Sequence, residues 1–136
     1  VDAGAYDGGQ FHRTVTPDNQ PDNAIRIGVI QGSKRKEATE YAAVPLERTT
    51  VTGLRHLDGT ISMARMGPDT ATNEFFLCVG DQPELDFGGR RNADGQGFAA
   101  FGRLVKGWLV MKQIQMSATS GQALQPPVTI VRARRL

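Results

Sequence analysis

The stretch from Gly59 to Gly80, GTISMARMGPDTATNEFFLCVG, constrains the fold more than any other part of the chain. From Thr60 to Ala64 polar and apolar residues alternate, which predicts a strand with one buried face. The Gly-Pro-Asp step at 67–69 cannot continue a strand ladder, so a loop is expected from Met66 to Thr72. From Glu74 to Val79 apolar residues occupy both faces of a second strand. One face therefore packs on the core, and the other has something else to contact.

Length and charge narrow the class of protein. A chain of 136 residues is expected to form one domain, residues 1–136, with a single core. Sixteen Lys and Arg against fourteen Asp and Glu give a net charge of +2, with no large block of one sign. This balance argues against a nucleic acid as partner, because such binders concentrate basic residues on one face. The basic tract Ser33–Lys36 is interpreted as a solvated loop.

The cysteine and histidine content and the hydropathy of the chain argue against further classes of protein. Cys78 is the only cysteine, so no internal disulfide can form, and His12 and His56 lack the paired spacing of a zinc site. No apolar run approaches the length of a membrane span, and the first residues lack the features of a signal peptide. We expect a soluble chain without a membrane partner. The compartment is left open between the cytoplasm and the bacterial periplasm.

The remaining pattern predicts a mostly β domain with one clear helix. Further strands are expected, a helical turn near Leu46–Arg48, and a helix that packs on the sheet over Trp108–Met116. Closure into a barrel is the usual way to cover the strand edges. The further strands are predicted at Gln10–Val15, Ile25–Gln31, Phe98–Val105 and Val128–Ala133.

Alternation along Gln10–Val15 gives the first of these strands an unusual face. It places Arg13 beside Phe11 and Val15, and His12 on the opposite face. This arrangement suggests a cation held against an apolar surface. His12 itself is interpreted as a hydrogen-bonded structural histidine.

Seven short motifs occur in one order along the chain, and together they resemble the cyclophilin family of peptidyl-prolyl cis/trans isomerases, of bacterial type. Each motif is weak by itself, but seven in the right order are specific. The resemblance runs from about Gly4 to Arg132. The motifs are Tyr6-x-Gly8-x-x-Phe11-His12-Arg13, Gln31-Gly32, Ser62-Met63-Ala64, Gly67-Pro68, Glu74-Phe75-Phe76, Leu85-Asp86 and Phe101-Gly102-Arg103.

The resemblance implies a closed, antiparallel eight-stranded β-barrel capped by helices, with a substrate groove on its outer surface. It also implies isomerisation of X-Pro bonds in peptides and unfolded proteins, without a cofactor or a metal. Family members carry two strands and a helix before the segment that matches Val1–Gly4. The barrel is therefore expected to be incomplete at its N-terminus, unless another chain supplies these elements. The oligomeric state is left open.

Carried over by motif, the resemblance assigns roles to ten residues. Arg13 matches the catalytic arginine, Gln31 the glutamine that contacts the substrate backbone, and Phe76 the floor of the proline pocket. The other positions are expected to bind substrate as pocket walls or groove contacts: Val29, Ala64, Arg65, Met66, Glu74, Leu85 and Phe98.

Several of these positions depart from the best-known family pattern. Glu74 replaces a groove glutamine, Arg65 replaces an asparagine, and Phe98 stands where a histidine is common. A pocket-rim tryptophan has no counterpart near Leu85. These departures bear on substrate preference and on sensitivity to the family's cyclic-peptide inhibitor, and leave Arg13, Gln31 and Phe76 unaltered.

Two other classes of function are compatible with the residues. The groove could bind proline peptides as a non-catalytic module or chaperone. The chain could instead be a structural fragment whose exposed strand edges pair with another chain. Binding without catalysis predicts saturable peptide affinity and no rate gain. The structural alternative predicts neither peptide binding nor a rate gain. It predicts oligomers whose population depends on concentration.

Overall fold

A computed structural model describes residues 1–136 and confirms the mostly β architecture. Seven strands and two α-helices are formed, with a 3-10 turn at Pro83–Leu85. None of the helices has both the length and the apolar character that crossing a bilayer requires. The elements are β1 Gly9–Val15, β2 Val29–Ser33, α1 Thr49–Thr52, β3 Thr60–Met63, β4 Phe75–Cys78, β5 Ala99–Arg103, α2 Trp108–Gln115, β6 Thr119–Ser120 and β7 Ala123–Ile130.

All seven strands join one antiparallel sheet in the order β5-β3-β4-β2-β1-β7-β6. The predicted strand pair around the Gly67-Pro68 loop becomes β3 and β4, where Ser62 lies opposite Phe76. β2 and β1 continue the sheet, with Phe76 opposite Gln31 and Gln31 opposite Arg13. These three pairings put four motif residues in one row across the sheet. No ladder joins the two edge strands, β5 and β6.

An irregularity in β1 overturns the expected sharing of a face by Phe11 and Arg13. The register shifts between them, since Phe11 pairs with Gly32 while Arg13 pairs with Gln31, so His12 is an extra residue on β1. Such a β-bulge breaks the alternation of side chains. Phe11 packs with the cluster under α2, whereas Arg13 lines a cavity on the other face of the sheet. His12, expected opposite Arg13, lies instead beside Glu74 of that cavity.

The largest differences from the predicted boundaries occur at three other elements, while the strand predicted at Phe98–Val105 forms at Ala99–Arg103. The strand predicted from Ile25 begins only at Val29. The helical turn expected at Leu46–Arg48 forms at Thr49–Thr52, where Gly53 ends it in the left-handed conformation that glycine favours (φ 73°). The last strand begins at Ala123 rather than at Val128.

The two prolines of β7 explain why its early start was missed. Proline has no N–H to donate to a ladder, which argues against a strand at Pro126 and Pro127. In β7 they lie in an irregular segment, because the pairing with β1 jumps from Arg13–Ala123 to Phe11–Val128. The strand can therefore continue through this segment although neither proline has an N–H to donate.

Two apolar clusters lie on opposite faces of the sheet. The cluster under α2 contains Ile30, Met111, Ile114 and Leu124, so α2 packs on the sheet as predicted. The second cluster underlies the cavity and contains Val15, Ile27, Val29, Phe76, Cys78 and Leu85. Burial raises the pKa of the Cys78 thiol to about 12, and nearby carboxylates add to the shift. Phe75 and Phe76, adjacent in β4, thus serve opposite faces, as the alternation predicts.

The basic tract that follows β2 is more ordered than a solvated loop. Lys34 is 7 % exposed, and its Nζ donates to the Ala38 carbonyl oxygen (3.0 Å) and pairs with Glu40 (2.7 Å). Arg35 Nη1 donates to the Gly4 carbonyl oxygen at 2.7 Å. Two of the three cationic side chains in the tract therefore already have partners within the chain.

We expect Gly9→Ala to destabilise the fold. A Cβ at Gly9 would lie 2.4 Å from the Ser33 carbonyl oxygen and 3.0 Å from that of Tyr6, which are backbone atoms of the adjoining segments. Such overpacking should lower the free energy of unfolding by about 1–3 kcal/mol, measured by urea denaturation. Gly67→Ala is the matched control, since its Cβ would meet nothing closer than 3.9 Å. Equal stability of the two variants would contradict this packing of β1 on β2.

Candidate functional site

The structure brings all ten residues assigned from the motifs into one cavity of about 570 Å³. The cavity lies over the row of side chains that crosses β1, β2 and β4, and the loops after β3 and before β5 enclose it. Its volume suits a few peptide residues. The ten assigned residues that line it are Arg13, Val29, Gln31, Ala64, Arg65, Met66, Glu74, Phe76, Leu85 and Phe98.

One side of the cavity is apolar. Phe76 is 4 % exposed, and Leu85 and Val29 are buried beside it. Phe98 packs edge to face on Phe76, with ring centroids 5.2 Å apart and an interplanar angle of 86°. These side chains form a rigid surface that could receive a small ring such as proline.

Arg13 faces this apolar surface from β1. Its Nη1 donates to Gln31 Oε1 at 2.8 Å, and its Nε and Nη2 donate to Gln122 Oε1. Burial lowers the pKa of Arg13, and the nearby Glu74 opposes that shift. A guanidinium nevertheless remains charged at all physiological pH. The cavity thus holds a fixed cationic donor next to an apolar pocket.

Gln31 connects Arg13 with Glu74. Its Oε1 accepts from Arg13, while its Nε2 donates to Glu74 Oε2 in a short contact. His12 and Gln31 hold the pKa of Glu74 below its usual range, against the opposing effect of burial. His12 Nε2 lies 3.7 Å from Glu74 Oε2, too long for a hydrogen bond, and this buried nitrogen has no hydrogen-bond partner. The hydrogen bond expected of His12 is therefore not formed by Nε2, and the nearest acidic group to this nitrogen is Glu74.

The Arg65 side chain lines the cavity and holds the loop before β5. It is 1 % exposed and pairs with both carboxylate oxygens of Asp94 at 2.8 and 3.0 Å. It also donates twice to the Gly97 carbonyl oxygen, and its Cζ lies 5.0 Å from the centroid of Phe98. Through these contacts Arg65 fixes Phe98, and its guanidinium holds the pKa of Asp94 below its usual range.

A buried hydrogen-bonded set supports the pocket floor from behind. His56 is 1 % exposed and stacks on Phe76 at 5.9 Å, with an interplanar angle of 16°. Its Nδ1 lies 2.7 Å from Asp86 Oδ1, and its Nε2 lies 2.9 Å from Ser62 Oγ. Because a carboxylate only accepts, Nδ1 carries the proton and Nε2 accepts from the Ser62 hydroxyl. The set resembles a Ser-His-Asp triad, but Ser62 is fully buried and cannot reach a substrate.

Sequence reasoning missed several residues of this region. Arg91 lines the cavity and donates to Gln20 Oε1 (2.8 Å) and to the Ile25 carbonyl oxygen (2.6 Å). Burial and the charge of Arg13 lower the pKa of Arg91. The position of Arg91 in a loop does not indicate its contacts. Gln122, in contrast, directly follows Gly121, and this glycine is a sequence signal for a turn. No group of three His, Cys, Asp or Glu residues is arranged to hold a metal ion.

His56 should remain neutral below its ordinary pKa. Burial lowers the pKa of this imidazole and outweighs Asp86, which would raise it. Below pH 6.5 the unfolded chain therefore binds more protons, so the contribution of His56 to stability is complete above pH 6.5 and falls as the pH drops toward the folded pKa. Histidine NMR should show a titration midpoint below 6.5, with His12→Gln used to assign the remaining signal. A midpoint above 6.5 would contradict the neutral tautomer.

Fold and cavity together define a mostly β domain with a peptide-sized groove, an apolar pocket and one fixed arginine. The model of the cyclophilin-type peptidyl-prolyl cis-trans isomerase/CLD family matches residues 1–135. The chain belongs to this family.

Relatives in several bacteria carry isomerase names. The chain is 37% identical over 120 residues to peptidyl-prolyl cis-trans isomerase A of Dickeya dadantii, covering 88% of this chain and 57% of that protein. It is 31% identical over 129 residues to peptidyl-prolyl cis-trans isomerase B of Escherichia coli, covering 92% and 71%. For isomerase cyp18 of Streptomyces antibioticus the identity is 31% over 142 residues, covering 100% and 80%. The chain thus spans little more than half the length of the Dickeya relative.

Proposed function

We propose that this chain catalyses cis/trans isomerisation of X-Pro bonds in peptides and unfolded proteins. The observation that carries the proposal is the placement of the Arg13 guanidinium opposite the apolar pocket of Phe76, Leu85 and Phe98 in one cavity. Membership in the cyclophilin family supports it.

The reaction needs no covalent chemistry. Rotation about an X-Pro bond is slow because amide resonance keeps the bond planar, with a barrier of ~18–20 kcal/mol. At the twisted transition state the prolyl nitrogen loses conjugation and becomes a hydrogen-bond acceptor. A donor that is already oriented stabilises that state more than either planar ground state, which lowers the barrier.

The cavity supplies the parts that such a mechanism requires. The pocket floored by Phe76 grips the proline ring, with Val29, Leu85 and Phe98 as its walls. Arg13 then donates to the prolyl nitrogen while rotation occurs on the other side of the bond. Gln31 and the backbone of Ala64 to Met66 hold the peptide on either side. Glu74, ionised at neutral pH, lines the same groove and would favour substrates with a cationic or neutral residue beside it.

Arg13→Ala should reduce kcat/KM for a short X-Pro peptide by roughly 10²–10³-fold, because it removes one preorganised donor. A protease-coupled assay or NMR exchange spectroscopy measures the rate. Arg103→Ala is the matched control, since Arg103 is exposed on the edge strand β5 and its side chain makes no hydrogen bond or ion pair. Its rate should equal that of the parent chain.

Two results would contradict the proposal. A folded parent chain that binds the peptide without accelerating exchange would be a binding module instead. A parent that accelerates exchange equally well without Arg13 would place the donor elsewhere.

A further inference from the structure

The guanidinium of Arg13 is held by two side chains that grip different nitrogens. Gln122 Oε1 accepts from Nε at 2.9 Å and from Nη2 at 2.6 Å, and Gln31 Oε1 accepts from Nη1 at 2.8 Å. A guanidinium carries five N–H groups, so three are used and two are left, one on each terminal nitrogen. Only these two can reach a substrate.

Gln122 occupies a fixed position in a tight turn. With Gly121 it forms the two-residue connection between β6 and β7, where Ser120 pairs with Ala123 and Gly121 has φ 60°. The carbonyl oxygen of Gln122 accepts from the backbone N–H of Thr14 at 2.9 Å. The turn is thereby tied to β1 one residue beyond Arg13.

The amide of Gln122 can point in only one direction. Its Nε2 donates to the Asn19 carbonyl oxygen at 3.1 Å, an atom that only accepts, so Oε1 must face Arg13. Asn19 is fixed in turn, since its Nδ2 donates to the Thr14 carbonyl oxygen (2.9 Å) and its Oδ1 accepts from the backbone N–H of Thr16 (2.8 Å). The acceptor presented to Arg13 is therefore preorganised.

We propose that Gln122 is a positioning residue for Arg13, one that sets the plane of the guanidinium and aims its two free N–H groups into the cavity. The proposal rests on the proposed function only in taking Arg13 as the donor. Gln122 does not line the cavity, so it acts through Arg13 and not on the substrate. Gln31 alone would leave the guanidinium free to tilt about a single hydrogen bond, whereas acceptors on both edges fix it.

The test replaces Gln122 by methionine, which has similar length and no comparable acceptor. We expect kcat to fall about tenfold to a hundredfold with little change in KM, because the peptide contacts remain while the donor loses its orientation. In an Arg13→Ala background the same replacement should change the rate no further. Gln113→Met on the exposed face of α2 is the control and should keep the parent rate.

A measurement that does not depend on activity separates this proposal from the function itself. The Arg13 Nε–H should give a slowly exchanging ¹⁵N NMR signal in the folded parent chain, and that signal should be lost in Gln122→Met. If the parent has no isomerase activity but shows the signal, the proposed function fails and the contact stands.

Three results would overturn the positioning role. One is rapid solvent exchange of the Arg13 Nε–H in the folded parent chain. This result does not depend on the folding of any variant. Another is a Gln122→Met variant with the parent kcat. The third is an equal fold-loss in the parent and Arg13→Ala backgrounds, which would show a general structural effect.

Discussion

The site depends on one extra residue in β1. Without the bulge at His12, strict alternation would turn Arg13 to the same side as Phe11, into the apolar cluster under α2. A guanidinium without partners in such a place is strongly unfavourable. The bulge returns Arg13 to the cavity face while Phe11 stays in the core. It also brings His12 beside Glu74, so one local irregularity sets the positions of both Arg13 and His12.

The sequence predicts the parts of this structure that depend on local pattern and on ordered motifs. Alternation identifies β3 and β4 and places Phe75 and Phe76 on opposite faces, and the motif order gathers ten residues that the fold places around one cavity. Their individual roles remain predictions. Alternation cannot reveal a bulge, because it assumes that every residue of a strand is paired. Nor can it indicate that β7 passes through two prolines, which depends on where the β1 ladder is interrupted.

Contacts between distant segments could not be predicted from the sequence, for a different reason. Gln122 lies 109 positions from Arg13, and a glutamine in a turn is usually an ordinary surface residue. Asp86 lies 30 positions from His56, and the sequence around either residue does not indicate their hydrogen bond. Such contacts follow from the topology of the sheet, which brings the β6–β7 turn to β1 and the loop after β4 behind the pocket. The residue types permit these bonds, but only the fold selects them.

The buried thiol of Cys78 has a consequence for experiments on this protein. It is inaccessible to solvent, and its high pKa leaves almost no thiolate at neutral pH, the form that reacts with electrophiles. We therefore expect the folded chain to react very little with maleimide and iodoacetamide reagents, although it is not free of cysteine. A cysteine introduced on an exposed position such as Val105 would be labelled selectively without removal of the natural one. Fluorescent or spin probes can thus be attached at a chosen surface position of the otherwise unmodified chain.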